Sequence, residues 1–547
     1  MQSRRTSIVF EGELRSIQKD RAEGIHLPIS SVLTSRKAIQ EHFIFMKNAP
    51  IQLRWTLPVL LTLCFGLFPA LSSAETLTVT KMVDDDSEGT LRKEIADAVD
   101  DDVIVFADNL DGQIIRLSGT EIQIAKNLTI DASMLDDGVT ISGDQTGDGL
   151  SNDDSRVFST RNGPTVTMKS LTITGGNSEG DFSQGGGLYI HVGIVVMEHC
   201  TITGNNSLGG GGGIYSTGAL TMKYCTISQN QANDSTDGDG GSGGGIASFG
   251  GEITLEHCTI ANNQAGDTTS AMSTHNGGRG GGIHGTNTTY ILRQCTVANN
   301  RAGSSTNGDG GNGGGISNGG RALTLELCTF ANNQAGNGGV NGGDGGGVYS
   351  GNAGNDANSH IFFTDCLIAG NMAGTGSSDG DAPDFNRENF LVLAGINLIG
   401  DNTLANGSAS TVLPLGDFVG DAATPLDPLL GPLADNGGPT QTMLPMTGSP
   451  AIDPADGAGT STFLSDQRKF ERIVGGILDV GATEFGARDV EVVAAEAAAA
   501  AARRASLSRQ IRKLNRKLKV AKRKKQVRKV KSFKKKIKKL KRQLRAV

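Results

Sequence analysis

A glycine triplet ending in an apolar residue, followed by a Cys-Thr-Ile-like triplet, recurs along the middle of the chain and limits the fold more than any other feature. The blocks are GGGLY (185), GGGIY (211), GGGIA (243), GGGIH (280), GGGIS (313) and GGGVY (345). The cysteines are Cys200, Cys225, Cys258, Cys295, Cys328 and Cys366, and LTIDAS (128) and LTITGG (171) are earlier, divergent copies. Cysteine-to-cysteine intervals of 25 to 38 residues are those of a solenoid, in which no unit buries its apolar side alone. Block-to-cysteine spacing is nearly constant, so length variation falls on one edge. Each unit offers three short strands separated by Gly or Asn turns, as in GGIYS, ALTM and CTIS. Stacked units close a core, which predicts an all-β, right-handed parallel β-helix solenoid. A propeller needs four strands per repeat, and a leucine-rich horseshoe needs more Leu and a helical leg.

Strand alternation assigns the faces. Ile130, Ile173, Ile202, Ile227, Ile260, Val297, Phe330 and Ile368 form one inward column, which turns the residue two earlier inward as well. That residue is Leu128, Leu171 and then the six cysteines, so the position takes a small apolar group and the thiols are expected to stack reduced. Disulfides or a metal-thiolate site are the alternative. Asn205, Asn230, Asn263, Asn300, Asn333 and Asn371 follow the cysteines by five residues and predict a hydrogen-bonded ladder.

Compartment and domain limits come from the ends. The apolar run Pro58–Ala70 follows Lys47 and Arg54 and precedes Ser72-Ser73-Ala74, the order of a secretory signal. The run is too short for a membrane-spanning helix. The expected organisation is an extension and signal over 1–74, with the signal proper at 46–74, then a capped β-helix over 75–385. A less repetitive part that closes it spans 386–486, and an Ala-rich, then Lys/Arg-rich helical tail spans 487–547. Charge divides along the same line. Residues 75–500 hold 18 Lys/Arg against 52 Asp/Glu, and residues 501–547 hold 23 Lys/Arg and no acid. The net −7 therefore conceals an acidic body and a cationic tail. In the tail, Leu507, Ile511, Leu514 and Leu518, then Val530, Phe533, Ile537, Leu540 and Leu544, recur at spacings of three and four, which predicts amphipathic helices able to pair as a coiled coil.

Several stretches resemble the choice-of-anchor Q family of exported, pectin-lyase-like bacterial β-helix proteins: SRVFSTRNGPTVTMKSLTITGG (155–176), GINLIGD (395–401), DPLLGPLADNGGPTQTMLPMTGSPAID (427–453), DQR (466–468) and DVGATEF (479–485). GTLRKEIADAV (89–99) is similar to the N-terminal cap of such proteins. Lys469 stands where the family pattern usually has Gly. The resemblance implies an exported, surface-associated protein and carries over no catalytic residue.

Chemistry is sparse. Elimination beside a uronate needs an Arg or Lys base, yet between the first and last cysteine the basic residues are Lys223, Arg279, Arg293, Arg301 and Arg321, without a partner row. Hydrolysis needs two carboxylates on one cleft. Asp237, Asp239, Asp309 and Asp344 precede glycine blocks and gather on one edge, where Ca²⁺ is the candidate ligand. Tyr189, Tyr215, Ala247, His284, Ser317 and Tyr349 form an outward row whose aromatics could stack on a polysaccharide. The expected role is a secreted or cell-surface, non-catalytic adhesin or structural protein of the outer envelope. Its 501–547 tail would hold an anionic envelope polymer or lipid surface, with self-association or nucleic acid as other partners. A polysaccharide lyase or hydrolase is the alternative reading.

Overall fold

The computed structural model describes residues 74–545, apart from 150–153, 179–182, 270–273, 352–359, 388–389, 402, 404–417, 422–423 and 455–462. The expected signal thus lies, but for its last residue, outside the described residues. From Thr76 onward the chain winds as a parallel β-helix with three strands per coil, as in Ile214–Ser216, Ala219–Lys223 and Thr226–Ser228. The first belongs to a glycine-block sheet of nine strands, the second to a middle sheet of 11 and the third to a cysteine sheet of 11. Pairing is in register from coil to coil, Ile202 on Ile227 and Ile227 on Ile260.

The glycine block is explained by its positions. Its first glycine takes a left-handed backbone, φ 65° at Gly211, which a side chain would strain. At the third, a Cβ on Gly213 would lie 2.7 Å from the Gly245 carbonyl oxygen and 3.0 Å from the Asn230 amide, so the close approach of coils excludes one. The corner before each cysteine is left-handed without glycine: His199, Tyr224, His257 and Gln294 have φ of 49–54°. Stacking of the neighbouring coils holds that corner against its intrinsic cost.

Inside, the six cysteines are buried and free, and Cys200 N–H donates to Cys225 Sγ at 3.4 Å. Burial pushes the thiols of Cys200, Cys225, Cys295 and Cys366 up, so they stay protonated fillers. The asparagines form the expected ladder: Asn205, Asn230, Asn263 and Asn300 each donate Nδ2–H to the Oδ1 of the next at 2.9–3.0 Å. Asn333 passes the ladder to Asn371, which donates to Asp384 Oδ1 at 2.8 Å. A carboxylate suits that last place because it accepts without having to donate onward, and its Oδ2 takes the Asp401 N–H. On the outer face of the middle sheet, Asp131, Lys169, Glu198, Lys223, Glu256, Arg293 and Glu326 alternate in sign, with ion pairs such as Arg293–Glu326 at 3.3 Å. Register is thereby fixed on both sides of the sheet.

Helix α1 (Leu91–Asp97) closes the N-terminal end as expected. Thr90 caps it through Lys93 N–H, and Leu91 and Ile95 enter the core beside Ile104 and Ile115. The C-terminal part differs from expectation. Strands Leu398–Ile399 and Phe418–Val419 extend the cysteine sheet, but 427–454 and 463–485 then run back over the outer face of that sheet instead of only closing its end. Thr440 Oγ1 donates to His257 O, Thr296 Oγ1 to Gln467 Oε1, and Ala482 N–H to Thr329 Oγ1. The physical reason lies three residues after each cysteine. Ala261, Ala298, Ala331 and Ala369 leave a flat, buried surface, whereas the uncovered coils carry Thr203 and Ser228, both half-buried.

Candidate functional site

Motif residues at the C-terminal end build a charged knot beneath this covering segment. Asp466 binds Arg468 through Nε at 2.9 Å and Nη2 at 2.6 Å, and Gln467 Nε2 reaches Cys258 O and Thr259 Oγ1 on the sheet. Arg472 is fully buried and donates Nη2–H to Asp479 O and Gly481 O, while its Nε and Nη1 have no protein partner. Burial lowers the pKa of Arg472; Glu484, Asp466, Asp479 and Asp365 around it oppose that and favour the cation. Glu484 accepts from Val474 N–H and Asp479 N–H, and burial pushes its carboxyl up to about 7. Lys469 has φ 68°, a left-handed backbone that ordinarily favours glycine, and its Nζ lies 4.3 Å from the Tyr224 ring centre. The knot positions the covering segment on the sheet.

Glu484 makes the knot pH-sensitive. Because its folded pKa of about 7 exceeds the unfolded value of 4.5, the stability it contributes is fully present below the unfolded value and is lost as pH rises through 7. His257, buried, and His284, half-buried, have a pKa of about 4 and respond in the opposite sense, losing stability as pH falls below the unfolded value of 6.5. A Glu484→Gln variant retains both histidines. The difference in urea midpoint between wild type and variant should therefore shift in favour of wild type from pH 8 to pH 5. A difference independent of pH would show that Glu484 does not titrate in this range.

An open cavity of about 700 Å³ lies near the N-terminal end, lined in part by Arg92, Glu121, Gln123, Arg156, Arg161 and Ser178. Burial opposes ionisation of Glu121, but Arg156, Ser159 and Gln123 around its carboxylate hold its pKa below the ordinary value. It is thus an ionised acceptor and a poor proton donor. Arg156 also stacks over Tyr189 at 5.1 Å, Tyr189 meets Tyr215 edge-on at 5.6 Å, and the Ser178 hydroxyl is buried without a partner. The outward aromatic row is therefore continuous only at this end, and Tyr349, equally half-buried, stands apart from it. Beyond it Ala247 and Ser317 are buried, and His284 is half-buried with an unpartnered Nδ1.

The acidic loops stack as turns. Asp239 Oδ1 accepts Asn276 N–H at 2.8 Å, Asn276 accepts Asp309 N–H at 2.9 Å, and Asp309 accepts Asn341 Nδ2–H at 2.8 Å. Asp344 accepts Asp381 N–H at 2.8 Å. Asp309 and Asp344 share a groove of about 290 Å³ with Asp379 and Asp381; Asp237 and Asp239 do not line it and are exposed. Among the described residues, no three His, Cys, Asp or Glu side chains converge as a metal site.

The tail forms two helices, α2 (Val490–Arg523) and α3 (Val527–Arg545), which pack on each other. Asp489 caps α2 by accepting Glu491 N–H and Val492 N–H, and Lys525 at φ 52° reverses the chain between the helices. Leu507, Ile511, Ala521 and Ile537 are buried, so the apolar stripes serve each other within one chain. All 23 Lys and Arg of 501–547 are exposed. No helix among the described residues is long and apolar enough to cross a membrane. Comparison with protein-family models found no match, and comparison with curated proteins found none either.

Proposed function

We propose that this chain is an exported, non-catalytic envelope protein: an acidic β-helix held at an anionic surface by its cationic helical hairpin. The observation that carries the reading is the hairpin itself, in which apolar side chains face inward and 23 cations face solvent next to a body rich in carboxylates. Attachment then rests on charge and is weakened by salt. Deleting 487–547 should move the protein from the surface of cells that produce it into the medium. Salt of about 1 M, where the Debye length is about 3 Å, should wash off the full chain. A truncated protein that stayed cell-bound, with a full-length form indifferent to salt, would overturn the role of the tail.

Polysaccharide recognition is the second reading, favoured by the cavity beside Tyr189 and Tyr215 with the half-exposed Arg161 on its wall. An ionised Glu121 clamped by Arg156 suits binding better than acid catalysis. Release of new sugar ends from an acidic or neutral polysaccharide would replace the non-catalytic reading.

A further inference from the structure

From the geometry of the tail we infer that its partner is a flexible phosphate-bearing polymer that wraps the hairpin and completes its folding, and not a bilayer into which the helices insert. This rests on the anchoring role proposed above and names its ligand. The cationic half of α2, 503–523, lies beside the whole of α3, 527–545, so the two form a rod about 30 Å long at 1.5 Å per residue. It carries 23 cations and no acid, one charge per about 1.3 Å of axis. Duplex DNA, with the opposite sign, carries one per about 1.7 Å. Two unit charges in water interact by RT at about 7 Å, so a rod charged this densely gathers small anions around it. A polyanion that displaces them gains the entropy of their release.

Three observations select the kind of polyanion. Insertion into lipid needs an apolar face, and here Leu507, Ile511, Ala521 and Ile537 are buried between the helices. Of the tail's large apolar side chains among the described residues, only Val492, Val520 and Val527 are largely exposed, Val492 at the far end of α2 from the cationic rod. Base stacking needs exposed aromatics, and the single aromatic of the tail, Phe533, is half-buried. The cations, finally, occupy every exposed side of the rod. A rigid duplex can touch one side, whereas a flexible chain reaches all of them. Fourteen Lys against nine Arg in 501–547 also favour point-charge contact with phosphates over bidentate readout.

The same density makes the hairpin conditional. Runs such as Lys534-Lys535-Lys536 oppose the helix by like-charge repulsion along its length, and bound phosphate removes that repulsion. Folding and capture of the polymer are then one event.

The test uses the full-length protein with long-chain inorganic polyphosphate, phosphatidylglycerol vesicles and duplex DNA at equal phosphate concentration. Polyphosphate should bind, with affinity falling about 10³-fold or more between about 50 and 200 mM salt. Amide exchange across 503–545 should slow about tenfold on binding, which reports ordering of the helices. Vesicle binding that persists at about 1 M salt would show insertion and overturn the inference. Displacement of polyphosphate by the duplex, or amide exchange unchanged by the polymer, would overturn it too. Absence of polyphosphate binding by a protein whose 487–547 deletion still frees it from cells would sink the phosphate polymer and spare the anchoring role. Polyphosphate binding by a chain that never associates with cells would do the reverse.

Discussion

Replacing Arg472 by alanine should lower stability by about 3–5 kcal/mol, the cost of leaving buried charge without its partner. The loss should be larger at pH 8 than at pH 5. The guanidinium is the inner cation of a knot in which Asp466, Asp479 and Glu484 are all buried and only Arg468 provides a second positive charge. Its Nη2 hydrogen bonds to Asp479 O and Gly481 O tie together the loop that places Ala482 N–H on Thr329 of the sheet. Without the cation, Asp479 and Glu484, already pushed up by burial, rise further. The folded variant then takes up protons at higher pH than wild type does, and stability returns as pH falls. Arg472→Met keeps most of the volume and should fare nearly as badly. Denaturant midpoints at the two pH values, with limited proteolysis of 427–485, read the result. A methionine variant as stable as wild type would mean that packing, and not charge, holds the segment.

What the sequence disclosed follows from how each contact is encoded. The cysteine column, the asparagine ladder and the glycine blocks repeat in every coil, so alignment of the chain against itself places them without a structure. The covering segment has no such repeat, because its contacts join Gln467 to Thr296 and Thr440 to His257 across more than 150 residues. Its trace is a change of residue type three positions after the cysteine, from Thr203 and Ser228 to Ala261, Ala298, Ala331 and Ala369, which marks the coils that are covered. Likewise, the alternation of Glu198, Lys223, Glu256, Arg293 and Glu326 two residues before the first five stacked cysteines is written in the repeats, but it cancels in regional charge totals. Asp384 carries no repeat signal because it ends the ladder from a coil without a cysteine. The calcium candidates show the converse limit. Asp239, Asp309 and Asp344 each spend an oxygen on a backbone N–H of the next coil, which spacing alone does not show.

Asn300→Leu should be among the most damaging single changes in the solenoid, at roughly 2–6 kcal/mol for two buried donors left unpaired. Asn300 Oδ1 accepts both the N–H and the Nδ2–H of Asn263, at 3.0 and 2.9 Å. Its own Nδ2 donates to Ile260 O and to Asn333 Oδ1, both at 2.9 Å. Leucine keeps the branched outline at a larger volume and offers none of these bonds. Its branched end must also face Gly282, where a Cβ would already stand 3.1 Å from the flat amide it replaces. Cys295→Ala, one column away in the same coil, removes a small buried group whose thiol hydrogen bonds are weak, and should cost about 1 kcal/mol. The pair separates direction from filling: the asparagine column acts through bonds passed from coil to coil, and the cysteine column through volume alone. Equal losses in the two variants, measured by urea unfolding under reducing conditions, would remove that distinction.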